Sequence, residues 1–138
     1  GDLRAGLPPP GRAAWRIGIA SVSARHSGSF VEISERALST SGDIEQFVEI
    51  GKHRYSHIID PRTGLGSRQR KVVTVVASDS TTADAMATAL VMADKRTASA
   101  LSRKVKGVEY VSATSADIYA SSRFPKVRLI ASHNEYAQ

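Results

Sequence analysis

At 138 residues, with 41% apolar and 23% charged residues, the chain has the size and balance of one globular domain able to bury a sizeable core. It contains no cysteine, which excludes disulfides and thiolate metal sites and leaves the redox compartment open. The formal net charge of +6 admits anionic partners, yet Lys and Arg are scattered, and the densest run, Arg68 to Lys71, carries no interleaved aromatic for base stacking. A nucleic-acid partner is therefore not expected, and a basic surface that attracts anionic small molecules is.

No apolar stretch approaches the roughly 20 residues of a membrane span. The opening Gly1-Asp2-Leu3-Arg4-Ala5 lacks both a signal-peptide layout and an initiator methionine, so the chain is expected to begin partway through a gene product. Leu7 to Gly11 (LPPPG) can be neither helix nor central strand and reads as a stiff connection. Trp15 to Ser21 alternates like a strand with one buried face, and Ser29 to Ser41 is read as a further strand, with Val31 and Ile33 alternating. Ser39 to Asp43 (STSGD) reads as a loop exposing hydroxyls and amides.

Phe47 to Ile50 and His53 to Ile59 flank Gly51-Lys52 and predict a hairpin, with His57 near the end of its second strand. Asp60-Pro61 ends the run, and Gly64 to Lys71 is polar and flexible by composition. Lys71 to Ala77 (KVVTVVA) is a β-branched run of the kind buried on both faces. Ser78 to Lys95 carries Ala83, Met86, Ala87, Leu90 and Val91 at helical spacing, and a further helical stretch reaches about Lys106. Val108 to Ser112 and Asp117 to Ser121 predict a second hairpin, and Lys126 to Ser132 a last strand.

Two constellations could carry chemistry. At the start of the long helix, Thr81 and Asp84 read structurally as a capping box. Functionally, Asp84 and Thr88 lie on one helical face, and a carboxylate and a hydroxyl one turn apart suit Mg²⁺, which needs few protein oxygens beside waters and substrate phosphates. His57 reads either as a packed strand residue or as a general base, since imidazole titrates close to neutrality; a turn after Ile59 could bring Asp60 back to orient it. His26, His53 and His133 read as surface or packing residues. No Walker loop, Gly-x-Gly-x-x-Gly, Gly-x-Ser-x-Gly or His-Glu-x-x-His occurs.

The ordered set GDLRA (Gly1 to Ala5), WRIGI (Trp15 to Ile19), ALSTSGD (Ala37 to Asp43), YSHIIDPRTG (Tyr55 to Gly64) and TTADAMATAL (Thr81 to Leu90) resembles the ApbE family of FAD:protein FMN transferases. The resemblance covers essentially the whole chain and corresponds to about the C-terminal half of such a protein. It implies an enzyme that splits FAD with Mg²⁺, releases AMP and attaches FMN through a phosphodiester to a threonine or serine hydroxyl of an acceptor protein. It further implies Asp84 and Thr88 as metal ligands, with Ala87 offering a carbonyl, His57 as the base and Ile58 in contact with FAD. The family's upstream elements have no counterpart here, so the chain alone is expected to bind FAD weakly or not at all. The segment after Gly64, LGSRQRK, departs from the family's usual continuation. A location in the bacterial cell envelope or periplasm is likewise implied, with membrane attachment only through an N-terminal anchor outside this sequence.

The expected fold is α/β of the α+β kind: a mostly antiparallel sheet packed against one or two helices, within the T-fold-like architecture of that family. Two other readings stay open. One is an FAD pyrophosphatase, in which water replaces the acceptor hydroxyl, and the other is a noncatalytic flavin-binding module.

Overall fold

The computed structural model describes residues 1–20, 22, 28–44 and 46–129. The strands are β1 (Asp2–Arg4), β2 (Trp15–Gly18), β3 (Ser29–Ile33), β4 (Ala37–Gly42), β5 (Phe47–Ile50), β6 (His53–Ser56), β7 (Ile59–Asp60), β8 (Leu65–Gly66) and β9 (Lys71–Ala77). Helices α1 (Ser80–Met92) and α2 (Lys95–Lys104) follow, then β10 (Glu109–Thr114), β11 (Ile118–Ala120) and β12 (Arg128–Leu129).

β9 is the axis of the molecule. It is central in an antiparallel sheet of order β1-β4-β9-β10-β11, and all its residues are buried. Because side chains alternate across a strand, the β-branched run supplies two faces at once. Val73, Val75 and Ala77 face α1 and pack with Ala83, Ala87, Leu90 and Val91. Val76 faces the other way and, with Leu38, covers Val31 and Ile33 of a smaller sheet, β12-β3-β2. The result is three layers: helix, main sheet, small sheet. The main sheet is antiparallel even though β9 has the continuous apolar character common in parallel sheets, because here helix and small sheet cover both faces.

Two expectations are corrected. Ser29 to Ser41 is not one strand: a bend at Glu35, with φ of 51°, separates β3 from β4, and the two belong to different sheets. Nor is Ser39 to Asp43 a loop up to its end, because Ser39 to Gly42 are strand, held between β1 and β9. Their hydroxyls find partners inside the fold: Ser39 Oγ donates to Asp2 Oδ1, and Thr40 Oγ1 lies 2.9 Å from Thr74 Oγ1. The chain beyond residue 129, where the last predicted strand continues, lies outside the described residues.

α1 ends on an unusual cap. Lys71 is 3% exposed, and its ammonium donates to the carbonyls of Leu90 at 2.8 Å and Ala93 at 2.5 Å. The last carbonyls of a helix lack intrahelical donors, and a cation there also complements the helix dipole. No helix among the described residues is long and apolar enough to cross a membrane.

Candidate active site

The β5–β6 hairpin turns through Gly51, whose φ of 63° is the left-handed conformation that a two-residue turn favours, and Ile50 pairs with His53 across it. Strand pairing stops at Ser56. There Ser56 Oγ accepts from the Ile58 amide at 3.1 Å, and the Ile58 carbonyl accepts from Ser67 at 3.1 Å, so the chain bends and plants the Ile58 side chain in the core under α1. His57, between these anchors, stays exposed.

The His57 Nδ1 lies 3.0 Å from the Gln46 carbonyl, which also accepts the His57 amide at 3.3 Å. A carbonyl oxygen can only accept, so Nδ1 carries the ring hydrogen and Nε2 remains the acceptor of the neutral imidazole. Asp60 is not the orienting group that a turn after Ile59 would have supplied. Its carboxylate is held by Arg62 Nε at 3.0 Å, Nη2 at 2.8 Å and the Arg62 amide at 2.9 Å. The Arg62 guanidinium, then its amide, holds the Asp60 carboxyl down at about 2.

His57 stands on the wall of a cavity of about 520 Å³, together with Asp2, Ile17, Leu38, Thr40 and Gly42. That size is typical of small-molecule sites. Ile58 is not on this wall; its side chain is 7% exposed in the core and both its backbone groups are engaged. Gly42 has a packing reason: a Cβ there would sit 2.6 Å from the Lys71 carbonyl oxygen and 2.8 Å from Val72 Cγ2.

At the start of α1 the cap is Asp79, not Thr81. Asp79 Oδ1 accepts from the Thr82 amide at 2.8 Å and Oδ2 from the Thr82 hydroxyl at 2.9 Å, and these bonds hold its carboxyl below the ordinary carboxylate range. Thr81 thus lies inside the first turn, and the capping box with Asp84 does not form. The Asp84 side chain is exposed and has no hydrogen bond or ion pair among the described residues. One turn on, Thr88 Oγ1 lies 3.2 Å from Ser41 Oγ, and Ser41 also lines the cavity. Ala87, between them in sequence, is fully buried against the sheet, so only its carbonyl could serve a cation.

Thr88 is therefore joined to the cavity through Ser41, whereas Asp84 and Thr88 are not themselves on its wall. No three His, Cys, Asp or Glu side chains cluster as a metal set among the described residues. A carboxylate one helical turn from a hydroxyl is a donor set for a hard divalent cation that keeps waters and takes phosphate oxygens, and not one for zinc. Ser41 and Gln46 are the residues that sequence reasoning missed. Of these only Ser41 left a trace, in the hydroxyl-rich run Ser39 to Asp43. His53 pairs with Arg68 at 2.7 Å, as a surface residue would, while His26 and His133 lie outside the described residues.

A sequence profile of the ApbE family matches residues 1–112. An FAD:protein FMN transferase of Vibrio cholerae is 44% identical over 86 residues, covering 59% of this chain and 26% of its own length. Another from Treponema pallidum is 34% identical over 112 residues, covering 79% of this chain and 30% of its own. Among solved structures, the ApbE protein of Thermotoga maritima superposes with a TM-score of 0.75 at 34% identity, over 88% of this chain and 40% of that one. The chain thus spans well under half the length of these relatives. The sequence match over residues 1–112 and the shared sheet-and-helix arrangement agree, and the chain belongs to the ApbE family.

Proposed function

We propose that the chain forms part of the active site of an Mg²⁺-dependent FAD:protein FMN transferase, in which His57 is the general base and Asp84 and Thr88 hold the cation. The observation that carries this reading is the His57 ring: Nδ1 is committed to the Gln46 carbonyl, and Nε2 is left to accept a proton at the cavity wall. The names of the relatives supply the flavin donor and the protein acceptor.

In this mechanism His57 Nε2 takes the proton of a threonine or serine hydroxyl of the acceptor. The freed oxygen attacks the FMN phosphorus of FAD, the bond from that phosphorus to the bridging oxygen breaks, and the bridging oxygen leaves with AMP. FMN is then joined to the acceptor as a phosphodiester. Mg²⁺ on Asp84 and Thr88, with the Ala87 carbonyl nearby, would neutralise charge on the pyrophosphate. Ile58 serves by fixing the backbone on which His57 turns out of the sheet. We further propose that the reaction takes place in the bacterial cell envelope or periplasm, a location the resemblance implies.

The test mixes the full-length protein with FAD, Mg²⁺ and a threonine-bearing acceptor. Covalent flavin fluorescence on the acceptor, with AMP released, is the expected result. AMP and free FMN without labelling would mean hydrolysis, and no AMP at all would mean a binding module; either would overturn the proposal.

A further inference from the structure

Arg54 on β6 fills the crook of the segment that leads from β4 into the hairpin. Its Nη2 donates to the carbonyls of Asp43 and, at 3.5 Å, Ile44. Its Nε forms an ion pair with Asp43 Oδ2 at 3.2 Å without a hydrogen bond, and its guanidinium lies 3.2 Å over the centre of the Phe47 ring. Asp43 is 2% exposed, and its Oδ1 has no hydrogen-bond partner among the described residues. A buried carboxylate in this position depends on its cation, and only a planar fork both bonds carbonyls and stacks on an aromatic ring.

The segment so clamped includes Gln46, whose carbonyl fixes the His57 ring. Arg54 grips Asp43 and Ile44 on one side of Gln46 and Phe47 on the other. Ile44, Gln46 and His57 all line the same cavity. We propose that Arg54, paired with Asp43, is a positioning residue: it sets the Gln46 carbonyl so that His57 is held as the Nδ1–H tautomer with Nε2 free for the acceptor hydroxyl. The catalytic part of this statement rests on His57 being the base; the tautomer part does not.

The experiment is ¹⁵N NMR of the histidine rings in the full 138-residue chain at alkaline pH, where imidazole is neutral. Wild-type His57 should show a protonated Nδ1 and an unprotonated Nε2, and the opposite pattern would overturn the proposal before any variant is made. Arg54→Lys keeps the charge beside Asp43 but cannot span carbonyls and ring together, so His57 should become a mixture of tautomers while the amide spectrum stays folded. A folded Arg54→Lys chain with an unchanged His57 ring would reduce the pair to a structural clamp. Should Arg54→Lys fail to fold, Asp43→Asn with Arg54→Gln removes both charges and is read in the same way. In the full-length enzyme, Arg54→Lys should lower kcat by about 10- to 100-fold with KM for FAD unchanged, the reduced worth of a misaligned base. If His57→Ala proves to have wild-type rates, the function proposed above fails, while the ring spectra still decide the role of Arg54.

Discussion

At the scale of single residues, the state of His57 is set by a group with no side-chain chemistry of its own. The Gln46 carbonyl lies eleven residues upstream, across the hairpin. Gln46→Ala is therefore expected to leave the His57 tautomer unchanged in ring ¹⁵N spectra, since only the backbone is used. His57→Ala in the full-length enzyme should spare FAD binding and slow transfer by about 10²- to 10⁴-fold in a rate assay; unchanged rates would return His57 to a packing role. Asp60 behaves differently. Its carboxyl is lowered from 3.8 to about 2 by Arg62, so the stabilising ion pair is fully present above pH 4 and is lost as pH falls through 2. A carboxyl-carbon titration should give that low midpoint, and Arg62→Ala should move it back toward 3.8 without altering the His57 ring. His57 was singled out in the sequence as a candidate because its flanking residues form a motif. Its orienting partner was not, because a backbone carbonyl leaves no mark on composition or spacing, and Asp60 was claimed by a neighbour two residues away.

Among the elements, β9 and α1 were legible from periodicity alone, since both are long and bury consistent faces. The break between β3 and β4 was hidden because Glu35 takes the left-handed turn with no glycine or proline to announce it. The hydroxyl-rich end of β4 looked like a loop for a similar reason: small polar residues are ordinary in loops, and only the neighbours β1, β9 and α1 satisfy them inside the fold. Gly42 belongs to the same strand. Gly42→Ala would force β4 away from β9 beside the cavity, and a loss of about 1 to 3 kcal/mol is expected in urea unfolding. Lys71→Ala should cost about 2 kcal/mol by the same measurement, because two carbonyls at the end of α1 lose a charged donor, partly offset by no longer burying an ammonium. No change in either midpoint would refute these assignments.

For the molecule as a whole, the layering puts the small sheet on one side of β4 and α1 on the other. Leu38, Thr40 and Gly42 line the cavity, while the Ser41 hydroxyl reaches Thr88. The last residues of β4 are thus the seam between the imidazole and the oxygens of α1. The antiparallel α+β architecture was readable from the order of strand and helix patterns, but this seam was not, because it depends on which strand lies next to which. The central claim is that Asp84 and Thr88 form a cation site used with FAD, and Mn²⁺ binding read by electron paramagnetic resonance, with FAD present in the full-length protein, tests it most directly. Loss of a ligand should weaken binding at least as much as loss of an outer partner, so Asp84→Ala is predicted to reduce Mn²⁺ affinity by about 100-fold or more, with a smaller reduction in Thr88→Ala. Equal Mn²⁺ affinity in wild type and Asp84→Ala would contradict the account.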